Sequence, residues 1–465
     1  MGAGEPPHTM PQDLEDESRP PSQAAPAPSP IPAPGARRRL RLPAWCFGDV
    51  GWLFAGRAIR SFSQAFLVVV VPLYIAAAGY STMRVGYMLS VAAAGSAAFV
   101  LLIGIYADRY GRRRIMLGLA VLSILGAAAY ALTAEFWVLA AAGALASVGR
   151  GGSAGSGGAM GPFYPAEQAM VAGATRPQDR NTAFGALSFV GVLAGAAGSL
   201  VAALPQLAHD GWHLPWLAAY RIVFWIGAAV GVALVLVILP LHESLGQPRA
   251  PGKGAAGAPA APRLLSRDML RLVGKLWLTN GLNGLAFGLF GPFLTYWLYL
   301  RFGVGPAALA GLYTIVNLAS ALPYLGAAGL ARRLGAVVTV VLTRVVSVAF
   351  FVGMVVAPTW PLASLFYLLR VVVGSLGNPV RQSFVMGVSE ERSRSTVAAF
   401  GNLPSQLTSA VAPSLGAYLM TAVSFEAPLL LAAGVQLLNA GTFLLAFRGT
   451  RPPEEQGAGE APVRP

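Results

Sequence analysis

"GIYADRYGRRRIML", residues 104–117, sets five charged side chains within seven residues between two long apolar runs. Residues 84–106 lead into the cluster and 115–134 leave it. Each run is near the length, about 20 residues, that crosses a bilayer as a helix. Hydrocarbon does not solvate such a charge cluster, so the two runs cross a membrane and the stretch joins them in water. Working outward, comparable runs lie near 50–75, 136–164, 181–204, 216–240, 270–299, 306–330, 336–357, 360–387, 396–421 and 427–447. The expectation is an all-α integral membrane protein with twelve transmembrane helices. Composition agrees: 55% of the 465 residues are hydrophobic and 11% charged, where a soluble chain carries about a quarter charged.

The net charge of +14 follows the topology. With both termini placed in the cytoplasm, the inner segments hold 23 basic residues, among them Arg109, Arg112, Arg113, Arg114, Arg332, Arg333 and Arg448. The outer side holds Arg84, Arg301 and, at a helix mouth, Arg221. This is the positive-inside bias, and it sets the orientation. Residues 1–44 are Pro-rich, carry "DLEDE" and "RRRLR", and lack the apolar stretch of a leader, so they read as a disordered cytoplasmic tail. Residues 241–267 include "GQPRAPGKGAAGAPAAPR" and read as a cytoplasmic linker. The expected layout is a six-helix bundle over 45–240, a second over 268–448, and a cytoplasmic tail over 449–465. Cys46 is the single cysteine, so no intrachain disulfide forms.

The two halves repeat each other. "YPAEQAMVAGATRPQDRNTAFG" (164–185) and "NPVRQSFVMGVSEERSRSTVAAFG" (378–401) align from Pro165/Pro379 through Arg180/Arg394 to Thr182/Thr396 at a constant offset of 214. Setting Pro292 on Pro72 places Asn280 on Arg60. Duplicated six-helix halves are a transporter architecture, with the substrate site near the midplane between them.

The opening stretch resembles the signature loop of the major facilitator superfamily. Gly104, Asp108, Arg109, Gly111 and the basic run from Arg112 occupy the signature positions, and "AGLARRLG" (328–335) is a degenerate second copy with Arg332 where Asp108 stands. The resemblance covers roughly residues 45–448. It implies alternating access and a charge cluster that holds the cytoplasmic side shut. In that cluster Asp108 would lie against the amino end of the eleventh helix, extended by Arg112 and Glu167. The tract "GRGGSAGSGGAMG" (149–161) fits the fourth helix, where many family exporters carry an arginine followed by small residues. Gly151/Gly155 and Gly157/Gly161 are spaced for close helix contact, and no GK[ST] follows that would make the tract a phosphate loop. On the fifth helix, Gly191 and Gly195 have the family's antiporter spacing, with Ala196 where the motif has proline.

Buried charge is the sharper signal. Arg57, Arg60, Arg150, Arg344 and Arg370 lie inside spans, whereas the acids are read as lying in tails, loops or helix ends. Each arginine costs about 2.5–3.5 kcal/mol at a helix centre. Arg57, Arg60 and Gln64 form one stripe; Arg344 is expected to snorkel. Neutral stripes follow in the second half: Asn280; Tyr313, Asn317, Ser320 and Tyr324; Asn402, Ser405, Gln406 and Ser409. The expected substrate cavity is therefore Arg57, Arg60, Gln64, Arg150, Asn280, Tyr313, Asn317, Arg370, Asn402 and Gln406. Tyr296, Trp297 and Tyr367 either flank it or anchor at the interface, and Trp52 anchors at the interface.

No enzyme site emerges: the sequence has no Ser-His-Asp order or nucleophile elbow. His209, Asp210 and His213 share an outer loop without the further ligands a metal site needs. The reading is a secondary transporter of a small organic solute at the plasma membrane, an exporter favouring anionic or electron-rich substrates. An uptake permease for an anionic nutrient and a non-transporting sensor or assembly factor are the alternatives. Expected partners are that solute and the bilayer, with a proton as candidate coupling ion carried by Glu167, Asp49 or Asp108. No cofactor, no metal, no nucleic acid and a monomeric state complete the expectation. Asp108→Asn is expected to insert normally, raise labelling of cysteines introduced on the cytoplasmic side of the cavity and slow turnover, whereas Arg332→Ala is tolerated. Unchanged accessibility in the first variant, or equal damage in the second, would refute the gate.

Overall fold

A computed structural model describes residues 1–2, 4, 48–146, 162–174, 180–242, 267–321, 323, 330–331, 333–388 and 394–448. Regular structure among them is helical. In the first half the helices are α1 (Asp49–Ala77), α2 (Thr82–Tyr110), α3 (Arg112–Leu132), α4 (Phe136–Ala146), α5 (Phe163–Ala174), α6 (Arg180–Val201), α7 (Leu204–Trp212) and α8 (Trp216–Ile238). The second half contains α9 (Arg267–Phe290), α10 (Leu294–Phe302), α11 (Pro306–Ser320), α12 (Ala336–Val356), α13 (Trp360–Val388), α14 (Arg394–Ala422) and α15 (Ala427–Phe447). Among the described residues, eight helical stretches are long and apolar enough to cross a membrane, and Phe136–Leu145 and Pro306–Ser320 are shorter apolar helices.

Prolines mark two of the departures from the expected spans. The run 270–299 is not one helix: α9 ends at Phe290 and α10 begins at Leu294. Pro292 has no N–H and its ring crowds the carbonyl four residues back, while Gly291 leaves the backbone free to turn. Pro72, its repeat counterpart, is carried inside an unbroken α1. After α6 the chain turns and runs on as α7, with Pro205 in its first turn, where the expected span ends at 204.

A glycine of positive φ closes the signature stretch in both repeats. Gly111 precedes α3 with φ 94°, and Gly335 precedes α12 with φ 80°. Both lie in the left-handed region that side chains other than glycine's rarely adopt. The glycine's conformation is thus kept in the copy whose sequence has lost the acid.

Apolar packing divides the molecule by depth. One core joins both halves at the end away from the basic loops; it includes Phe66, Tyr74, Val85, Phe224, Phe293, Trp297, Leu309 and Ala417. Toward the basic end it gives way to two separate cores. Leu53, Met116, Phe163, Val171 and Ile238 pack in the first half, and Leu276, Val340, Phe384, Phe443 and Phe447 in the second.

The hydrogen bonds between halves, among the described residues, lie at the joined end. Ser414 N–H donates to Ser90 Oγ at 2.8 Å. The Thr82 and Tyr296 hydroxyls meet at 3.1 Å. Asn317 Nδ2 donates to Ser199 Oγ at 3.2 Å, and Ala307 N–H to Gln206 Oε1 at 3.0 Å. Helix pairs α2–α14 and α6–α11 form this seam. On α2, a Cβ built at Gly86 would collide with Ala417 Cβ and crowd Pro413 O at 3.1 Å. Gly86→Val should therefore prise the seam open, increasing labelling of reporter cysteines above it in a Cys46→Ser background. Gly118→Val, where a Cβ meets nothing within 4 Å, should not. Equal labelling in the two variants would show that the seam does not hold this end closed.

Candidate functional site

Helix geometry puts Arg57, Arg60 and Gln64 on one face of α1, at about 12, 16 and 22 Å from its start at 1.5 Å per residue. Across from them stands Glu167 of α5, 1% exposed. Arg57 Nη1 lies 3.4 and 3.3 Å from the two carboxylate oxygens of Glu167. Arg60 Nη2 donates to Glu167 Oε2, and its guanidinium lies 5.1 Å from the centre of the Phe163 ring, also on α5. One short helix thus supplies both an anion and a π-face to α1. The reading of the acids as peripheral is corrected here. Glu167 is an embedded acid, and it binds the first helix instead of extending a loop cluster through Arg112.

This pair cuts the electropositive charge of the first half. Two guanidiniums share one carboxylate, so the cluster carries a net charge of +1 instead of +2. Arg60 Nε and Gln64 Oε1 are buried without a hydrogen-bond partner, so the stripe keeps polar capacity toward the interior.

The second half builds the same contact from different residues. An offset of 214 carries Glu167 onto Arg381, and the Pro72/Pro292 register carries Arg60 onto Asn280. Arg381 of α13 donates to Asn280 Oδ1 of α9. The two repeat positions touch in both halves, but the ionic partner on the later helix has changed sign. Arg381 was not among the residues singled out from sequence; its register with Glu167 was the available signal.

Arg370, eleven residues earlier on α13, is held by aromatic faces. Its guanidinium carbon lies 4.2 Å from the centre of Phe290, 4.7 Å from Phe351 and 5.9 Å from Tyr367. Stacking of this kind stabilises a desolvated cation by up to about 2 kcal/mol. The rings cover part of the guanidinium and offer its N–H groups no oxygen acceptor. Among the described residues no carboxylate forms an ion pair with it. Tyr313 sits beside this cage, its hydroxyl 2.8 Å from Thr295 Oγ1 and its ring 6.0 Å from Tyr367.

Other expected cavity residues are spread more widely. Asn317 is buried and serves the seam through Ser199. Trp297 is not an interfacial anchor: it is fully buried, stacked on Phe425 with ring centres 5.9 Å apart. Trp52 is 43% exposed, as an interfacial residue would be. Gln406 is half-buried on α14. Arg150, Tyr324 and Arg332, and the side chains of Asp108, Arg109 and Asn402, lie outside the described residues, as does the burial of Gly104. Of the remaining signature loop, Arg113 donates to the Leu239 carbonyl after α8, tying the loop to its own half. His209 stacks on Trp216 at 4.1 Å, with Nδ1 2.7 Å from the Leu214 carbonyl oxygen.

The profile of the Major Facilitator Superfamily matches residues 53–360 and 276–465. The chain belongs to the major facilitator superfamily. A relative from Saccharomyces cerevisiae, the uncharacterized membrane protein YJR124C, is 22% identical over 391 residues, covering 78% of this chain and 86% of the relative. The human organic anion transporter MFSD10 superposes with a TM-score of 0.58 at 18% identity, over 85% of this chain and 98% of that one. A bacterial homologue of the iron transporter ferroportin, in an inward-facing state, gives 0.65 at 15% identity, over 86% and 98%. At such identities the superpositions establish the fold. This superfamily member is an integral multi-pass membrane transporter.

Removing the anion of the Arg57–Glu167–Arg60 cluster strands two buried cations, a change that typically costs about 3–5 kcal/mol. Glu167→Gln should lower the thermal unfolding temperature sharply, and adding Arg60→Gln should recover much of the loss. A double-mutant cycle on the purified protein measures the coupling; additive losses would show that the three side chains do not act as a unit.

Proposed function

We propose that this transporter moves a small anionic or electron-rich organic solute by alternating access, and that it works as an exporter at the plasma membrane. The observation that carries the substrate class is Arg370: a guanidinium set against the adjoining rings of Phe290 and Phe351, with no carboxylate partner among the described residues. An aromatic cage of this kind suits an anion that also offers apolar surface. Such a ligand satisfies the N–H edge and packs on the ring edges at once. Arg60, in the other half, adds residual positive charge. Arg150, Asn402 and Gln406 complete the proposed path.

Two bundles, 45–240 and 268–448, would rock about the central site, joined by the cytoplasmic linker 241–267, with both termini cytoplasmic and one chain as the working unit. Cores that are shared at one end and separate at the basic end support an arrangement closed outside and open toward the cytoplasm. Export is favoured because the arginines of the first and fourth helices resemble those of efflux members. A proton remains the candidate coupling ion. Glu167 is the carboxylate placed to exchange partners when an anion arrives, since both compete for Arg60.

Counterflow in proteoliposomes with anionic, neutral and cationic solutes tests this reading. Arg370→Ala should reduce transport of the anionic solutes by about tenfold or more, the equivalent of about 1.4 kcal/mol, with little effect on neutral ones. A cation-selective profile, indifferent to Arg370→Ala and Arg60→Ala, would overturn the substrate class. Accumulation only in right-side-out vesicles would reverse the direction.

A further inference from the structure

A second cationic cluster lies in the second half, apart from the path just described. Arg381 is eleven residues beyond Arg370 on α13, about 16 Å nearer the basic end. There α12, α13 and α15 surround a core that includes Val340, Phe384, Phe443 and Phe447. Arg344 of α12 reaches into this region: its guanidinium carbon lies 5.6 Å from the centre of the Phe443 ring, and its Nη1 is buried without a hydrogen-bond partner. α13 packs closely on α12 one turn before Arg381: a Cβ built at Gly377 would crowd Thr343 Oγ1, next to Arg344 in the chain. Arg381 spends one donor on a neutral amide, Asn280, and among the described residues no carboxylate pairs with either arginine.

In the first half the repeat-related contact contains its own anion, Glu167. In the second half that position has become Arg381, and a further arginine has been added beside it. Two cations inside the bundle without an anion between them are costly. Snorkelling alone does not account for Arg344, because a snorkelled guanidinium keeps its donors in water, whereas its Nη1 is enclosed.

We propose that Arg344 and Arg381 bind one phosphate-bearing anion at the basic end of the second half. Two guanidinium forks from different helices match the several oxygens of a phosphate, and each charge-assisted bond is about twice as strong as a neutral one. The Arg344 Cα lies about 12 Å inside α12, but its side chain leans to the level of Phe443, about 6 Å from the end of α15. That is within reach of a headgroup in the cytoplasmic leaflet, where basic pockets between membrane helices recognise anionic lipids. At the rim, Lys275 donates to the Ala446 carbonyl at 2.8 Å and lies 5.7 Å from the centre of the Phe447 ring, adding a third positive charge. A soluble phosphate would use the same groups.

Delipidated full-length protein is titrated with phosphatidylglycerol in phosphatidylcholine nanodiscs, and separately with inorganic phosphate in pure phosphatidylcholine against matched chloride. Native mass spectrometry counts bound lipid, and thermal unfolding reports stabilisation. We expect saturation at one equivalent, with affinity reduced about tenfold in Arg344→Gln and in Arg381→Gln and unchanged in the exposed control Arg333→Gln. Stabilisation by phosphatidylglycerol alone assigns a lipid headgroup; stabilisation by inorganic phosphate in pure phosphatidylcholine assigns a soluble anion. Should the two test variants fail to fold, Arg344→Lys and the wild-type stoichiometry decide. Absence of a saturable effect of either anion, or equal loss in all three glutamine variants, would overturn the site.

Discussion

A guanidinium inside hydrocarbon must find an anion, a carbonyl or an aromatic face, and this protein meets that constraint differently in its two halves. In the first, Glu167 sits between Arg57 and Arg60 and binds α5 to α1. In the second, Arg381 meets Asn280, and Arg370 rests among aromatic rings. The two arrangements occupy corresponding repeat positions, so duplication preserved the contact while its charge diverged. In the first half a carboxylate offsets part of the buried charge; in the second, no carboxylate among the described residues pairs with Arg344, Arg370 or Arg381. That asymmetry gives an anion a reason to bind in the second half.

The same division appears in the packing. At the end away from the basic loops, small residues such as Gly86 and Ala417 let α2 and α14 approach closely, and short polar bonds stitch the seam. At the basic end the cores separate, and the charged contacts described there stay within one half: Arg57 with Glu167, Arg113 with Leu239, Asp49 with His242 and Arg381 with Asn280. Bonds confined to one half do not oppose its movement against the other. The described bonds between the halves lie in the seam, and they must break for that end to open.

Much of this was legible in the order of residues. Apolar run length, loop charge and the offset of 214 identify a duplicated helical membrane protein. These signals are local or statistical, and the bilayer imposes them on any sequence that crosses it. Gly111 and Gly335 were equally legible, because a loop that turns through positive φ selects glycine wherever it recurs. Glu167 was misjudged because hydropathy marks where hydrocarbon is tolerated, not where a helix ends. The fourth span was read as closing at 164, yet α5 continues to Ala174, and its packing against α1 buries the carboxylate.

By itself, then, the sequence determined the class, the duplication and the inventory of charges available to an interior site. Partnership was decided by the tertiary structure. Arg57 and Glu167 are 110 positions apart, and no periodicity relates them. Trp297 has the composition of an interfacial anchor, but the break at Pro292 re-aims it into the core. Whether an arginine is neutralised, stacked or left with open donors depends on which helix face lies opposite. That is a property of helix packing angles and depth in the bundle, and neighbouring residues do not encode it.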